Sequence, residues 1–152
     1  MRIKAFDELS RSDQSLLQEA VERLSRSLNK VSNPQTSAIA VTKNSRHYGN
    51  NIFLSNCTLF CAEAVALAAS VAANDHKITK LYLAVGRADK IPAIISPCGN
   101  CRQMLHDFSH LNNDSIEIFS TTSELKDVMI TNSAELLPEG FKSASLGKMA
   151  QK

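Results

Sequence analysis

Residues 78–86 read ITKLYLAVG, and from Leu81 to Val85 every side chain is apolar or aromatic. A strand with one wet face alternates apolar and polar residues. An unbroken apolar run of this length fits a central strand covered on both faces. The flanking segments supply the cover. Upstream, Cys61 to about Asn74 is apolar on nearly every face and rich in alanine, which predicts a buried helix that neighbouring elements can approach closely. Downstream, GNCRQMLHDFSHL (99–111) places Met104, Leu105, Phe108 and Leu111 on one side of another helix.

Working outward, IPAII (91–95) reads as a strand ended by Pro97. SIEIFST (115–121) alternates as a strand, and DVMIT (127–131) as one more. TSAIAVT (36–42) is a further strand, joined through a hairpin-like link, NSRHYGNN, to IFL (52–54). From Ser12 to about Asn29, Leu16, Leu17, Ala20, Val21, Leu24 and Leu28 recur at helical spacing, and VSNPQ breaks that helix. AELLPEGF (134–141) reads as a loop or short turn. Helices interleaved with strands predict a layered α/β domain with one helix-covered sheet. The expectation is a single domain over residues 1–152, with 142–152 a frayed polar tail.

The chain has 152 residues, 43% hydrophobic and 21% charged, with a formal net charge of +2. That balance and the lack of a dense Lys/Arg stripe give no support for a nucleic-acid polymer as partner, and few aromatics argue against a single-strand groove. The N-terminus, MRIKAFDELSRSDQ, has charges where a secretory signal would need an apolar core. The longest low-charge run, CTLFCAEAVALAASVAAN, contains Glu63 and reads as core, not as a membrane span. Cytoplasm without membrane attachment is the expected location.

The four cysteines fall in two clusters, SNCTLFCAE and SPCGNCRQ. In a chain expected to stay reduced, such clusters favour a metal over disulfides. In PCGNC, Pro97 and Gly99 supply turn chemistry, so Cys98 and Cys101 can share one ion, with zinc the first choice for thiolates. Cys61 and Cys98 each open a predicted helix, where free N–H groups and the helix dipole favour thiolates. Three thiolates leave a position open for water, as in a catalytic site. A fourth from Cys57 would close a structural site, while a packed thiol at Cys57 would leave it open. Glu63, two residues after Cys61 in a nearly chargeless run, favours the open site, since a carboxylate there has proton transfer to perform.

The CAE and SPCGNCRQ motifs resemble the zinc-dependent cytidine deaminases, particularly the small homotetrameric type and the related blasticidin-S deaminases. GNNI and LLPEGF extend the likeness, which runs from about Thr36 to Phe141. The resemblance implies a five-stranded mixed sheet between helices, zinc held by Cys61, Cys98 and Cys101, and Glu63 as proton shuttle rather than ligand. It further implies substrate contacts from Asn50, the Ala62 N–H, the Ser96 carbonyl and, from a neighbouring subunit, Phe141. The implied activity is hydrolytic deamination of a free cytosine nucleoside, within a homotetramer or homodimer.

Three positions depart from the family pattern. Ile52 stands where many members carry a ribose-binding glutamate, and Ala64 stands where many carry an arginine. NPQTSAI stands in place of a segment that supplies a stacking ring. A different cytosine-containing substrate, such as blasticidin S or a modified nucleoside, is therefore one alternative. A non-catalytic protein with four cysteines on a structural zinc is the other. Arg102 could touch a thiolate or lie at the surface, and the four histidines show no ligand spacing with the cysteines.

Overall fold

The computed structural model of the chain describes residues 1–29, 34–54, 59–86 and 93–142. In chain order the elements are β1 (Arg2–Ala5), α1 (Arg11–Glu22), β2 (Leu28–Asn29), β3 (Gln35–Val41), β4 (Arg46–Asn50), β5 (Ile52–Phe53) and β6 (Leu59–Phe60). They continue with α2 (Ala62–Ala72), β7 (Lys80–Gly86), α3 (Gly99–Asn112), β8 (Glu117–Thr122), β9 (Asp127–Asn132) and α4 (Ser133–Leu136). Single 3-10 turns at Phe6–Glu8 and Arg23–Arg26 flank α1.

The main sheet has six strands in the order β1-β9-β8-β7-β3-β4. Only the β7–β8 pair is parallel, and α3 lies between those two strands in the chain. The expected five-stranded sheet is therefore corrected to six. The added strand is β1, which pairs antiparallel with β9 from Arg2↔Ile130 to Ala5↔Asp127. It is short and largely exposed, so its residues carry little burial signal. A second sheet, β2-β5-β6, sets Ile52 opposite Leu28 on one side and Phe60 on the other.

Strand β7 is buried on both faces, as its composition predicts. Leu81 and Leu83 point into a core with Ala62, Ala66 and Leu67 of α2 and Leu105 of α3. Tyr82 and Ala84 point the other way, into a core with Leu16, Leu17 and Ala20 of α1. Ser10 caps α1 by accepting from the Asp13 N–H, and Asp13 then ties the helix to β7. Its Oδ1 accepts from Tyr82 Oη at 2.5 Å and from Lys80 Nζ at 2.9 Å, and its Oδ2 accepts from Ser10 Oγ at 2.6 Å. Burial pushes the Asp13 carboxyl up, but these donors together bring it below the usual carboxylate range. A depressed acid contributes stability above its unfolded pKa, near 4, and loses it as pH falls through the folded value. Asp13→Asn is expected to cost about 1–3 kcal/mol near neutral pH and less toward pH 3, measured by urea unfolding across pH.

Gly49 of β4 decides how closely α2 approaches the sheet. A Cβ at this position would stand 2.0 Å from the Ala62 carbonyl oxygen and 2.5 Å from the Ala66 nitrogen. Both are backbone atoms that a rotamer change cannot move, so the strand lies directly on the helix. Gly49→Ala must displace α2, and a loss of more than about 3 kcal/mol is expected in chemical denaturation.

Some expectations shift at element boundaries. The helix expected to reach Asn29 ends at Glu22, giving way to the 3-10 turn and β2. The link NSRHYGNN contains strand β4 itself, with Val41↔Arg46 through Ser37↔Asn50 in register with β3. Residues 93–95 form no strand, so the part of IPAII that is described joins no ladder. The expected frayed tail, apart from Lys142, lies outside the described residues. No helix among the described residues is long and apolar enough to cross a membrane.

Candidate metal centre

Two helix N-termini meet at one end of the molecule. Cys61 is the N-cap of α2 and Cys98 the N-cap of α3, both with extended backbone, and neither side chain makes a capping hydrogen bond. Helix starts usually place Ser, Thr, Asp or Asn there to satisfy first-turn N–H groups. Cysteine in both positions leaves the sulfurs free for one another. Cys61 Sγ lies 3.6 Å from Cys98 Sγ, and the thiols of Cys61, Cys98 and Cys101 all fall within 4.8 Å of one another. Tetrahedral zinc with bonds of about 2.3 Å requires sulfurs about 3.8 Å apart, so the spacing fits the ion.

The electrostatics bear on which of the sulfurs ionises. Burial, followed by the Cys98 contact and the Glu63 charge, pushes the Cys61 thiol up to about 11. Burial and the same negative neighbours push fully buried Cys101 further up. Burial acts upward on Cys98 too, but donation from the Cys101 N–H and the neighbouring thiols brings it net below its ordinary value. Of the three thiols, only Cys98 is shifted toward ionisation in the metal-free protein. A divalent ion would favour ionisation of all three.

Glu63 lies in the first turn of α2, beside the sulfurs, and is 5% exposed. Burial raises its pKa, opposed by its own N–H and by the Cys101 thiol. Glu63 and Cys61 open onto a cavity of about 250 Å³. Its other described lining residues are Pro34, Thr36, Asn51 and Leu59. Larger clefts of about 520 Å³ beside Lys77 and about 330 Å³ beside Met1 lie away from the thiols.

The remaining residues singled out in the sequence are not all at the cavity. Asn50 is directed away from it, donating through Nδ2 to the Arg23 carbonyl at 2.7 Å and the Thr36 carbonyl at 3.4 Å. Asn51 is the asparagine that lines the cavity. Its Oδ1 accepts from the Thr36 N–H at 2.9 Å and its Nδ2 donates to the Pro34 carbonyl at 3.1 Å, which braces the start of β3. The pair of asparagines was visible in the sequence, but not which of them faces inward. Thr36 and Leu59 carried no sequence signal of a site.

Ala62 is fully buried at the first position of α2. Ser96 is half-buried, and its Oγ accepts from Arg102 Nη2 at 3.1 Å, while Arg102 Nε donates to the Pro97 carbonyl at 2.8 Å. Arg102 thus clamps the approach to Cys98 and hydrogen-bonds none of the described thiols. Phe141 is 74% exposed. Its main chain is held on α3 by Gln103, which donates to the Phe141 carbonyl at 2.9 Å and accepts from the Phe141 N–H at 3.1 Å. Cys57 lies outside the described residues.

Three thiols and a buried carboxyl at converging helix starts define a zinc centre of the deaminase kind. Residues 10–112 match the family described as the cytidine and deoxycytidylate deaminase zinc-binding region. The chain is 32% identical over 114 residues to the cytidine deaminase of Mycoplasma genitalium, covering 74% of this chain and 82% of that protein. Among solved structures, the cytidine deaminase from Burkholderia pseudomallei superposes with a TM-score of 0.71 at 23% identity, covering 88% of this chain and all of that one. That from Mycobacterium leprae gives 0.65 at 20% identity, covering 86% of this chain and 100% of the other. The chain belongs to the cytidine and deoxycytidylate deaminase family.

Proposed function

We propose that this protein hydrolytically deaminates a free cytosine nucleoside, cytidine or deoxycytidine, to the uracil nucleoside and ammonia. The observation carrying this reading is the cluster of Cys61, Cys98 and Cys101 at the edge of a cavity that Cys61 and buried Glu63 line. Cys61, Cys98 and Cys101 would hold zinc, which would supply an acidified water at neutral pH. Glu63 is placed to take a proton from the attacking water and deliver it to ring N3 as the water oxygen adds to C4. The second proton, passed by the same carboxylate to the amino group, lets ammonia leave. The Ala62 N–H has no intrahelical partner, which suits it to the pyrimidine carbonyl. The Ser96 carbonyl, fixed by the Arg102 clamp, suits the departing amine.

We infer that the working form is a cytoplasmic homo-oligomer, in which each chain is a single domain. Leu28, Leu59 and Phe60 are each about half exposed and Phe141 more so, which suits burial against further copies. Phe141 would then reach a neighbour's cavity.

One observation favours a second substrate. Ile52 sits in the ladder with Leu28 and Phe60, so no carboxylate stands at that place to meet sugar hydroxyls. Asn51 spends both amide ends on the main chain of residues 34 and 36. A cytosine compound with a different substituent, blasticidin S among them, would meet the same chemistry. The closed four-cysteine reading is not favoured, because it leaves buried Glu63 without work. The test is ammonia release by zinc-loaded protein on cytidine, deoxycytidine and blasticidin S. Turnover of either nucleoside is the expected result, and turnover of the antibiotic alone would replace the nucleoside reading.

A further inference from the structure

Away from the thiols, α3 carries a second pair of ligand-type side chains. His106 and His110 are one turn apart, on one face of the helix, and their Nε2 atoms are 3.1 Å from each other. The rings meet edge to face, with planes at 77°. His106 is 5% exposed, while His110 lies at the surface. The buried ring is roofed by the Gly140 backbone, where a Cβ would stand 2.8 Å from three ring carbons. That roof fixes His106 with its Nε2 toward His110.

Two imidazole nitrogens this close share either a hydrogen or a cation. In the metal-free protein one Nε2–H donates to the lone pair of the other. We propose that His106 and His110 form a second metal site, a two-nitrogen chelate for a borderline divalent cation such as Ni(II) or Cu(II). With metal–nitrogen bonds of about 2.1 Å, nitrogens at this separation subtend about 95° at the ion, near the right angle of tetragonal Ni(II) and Cu(II) and short of the tetrahedral angle. The exposed side of His110 leaves the other coordination positions to water. Burial and the neighbouring His110 and Lys142 hold His106 below its ordinary pKa against the pull of Asp107, which favours the neutral ring that can ligate. The site is independent of the thiol cluster and of the deaminase reading.

Isothermal titration of Ni(II) into the zinc-loaded protein tests the proposal, with zinc release followed in parallel. One nickel per chain is expected to bind while zinc is retained. His110→Ala, at an exposed position that the fold tolerates, is expected to weaken binding at least 10-fold, and His76→Ala, at another exposed histidine, to leave it unchanged. Thermal melts are expected to rise with nickel in the parent and not in His110→Ala. Equal binding by parent and His110→Ala, or release of one zinc for each nickel taken up, would overturn the site.

Discussion

Glu63→Gln is expected to leave a folded, zinc-loaded protein whose turnover falls by about 10²- to 10⁴-fold, the usual contribution of a positioned proton carrier. The amide nearly matches the carboxylate in shape, so the turn of α2 that carries it has no reason to move. It cannot accept the proton that the reaction must transfer. In the metal-free protein burial raises the Glu63 pKa, so there its ionised form costs stability once pH exceeds the unfolded value near 4. Stripped of metal, the neutral variant is therefore expected to melt no lower than the stripped parent. Ammonia release, zinc content and Tm measured together separate the outcomes. A zinc-loaded variant with undiminished turnover would remove Glu63 from the mechanism.

Removal of zinc by a chelator at pH 7 is expected to abolish turnover and to lower stability by several kcal/mol. Half-buried Cys61 and buried Cys101 would then have to take protons. Cys61, pushed up to about 11, and Cys101, pushed beyond it, would both be thiols. Rebinding must release those protons, so zinc affinity is expected to fall steadily as pH is lowered from 8 to 6. Calorimetric melts of the stripped and reloaded protein check the first point, and competition with a zinc indicator across pH checks the second. An unchanged Tm after stripping would mean that the helix ends hold without the ion.

The parts legible in the sequence were those with a strong period or a strong chemical pattern. The two-sided burial of β7 followed from Leu81 to Val85, and the inward face of α1 from Leu16, Leu17 and Ala20. The thiol cluster followed from CAE and PCGNC. Segments whose structure depends on a distant partner were less legible. β1 is defined by its ladder to β9, over a hundred residues away, and alternating Arg2, Ile3 and Lys4 gave no warning of it. The apolar residues 93–95 gave the opposite signal, yet no strand pairs with them among the described residues.

The asparagines show the limit most clearly. Along β4 the side chains alternate, with Gly49 against α2 and Tyr48 and Asn50 on the opposite side, near Arg23. The register Ser37↔Asn50 sets that alternation, and a shift of one residue would reverse it. Counting back from Cys61 cannot determine the register.

Strands β3 and β7 have consequences for how the molecule comes apart. Ala38, Ala40, Leu81 and Leu83 belong to one core, while Ile39, Tyr82 and Ala84 belong to the other. Each core therefore uses the same two stretches of backbone as a wall. Neither can lose its order while the other keeps its own. Heat should take both together, with calorimetric and van't Hoff enthalpies in agreement. A weakening substitution under α1, far from the sulfurs, would then lower the temperature at which the metal is released.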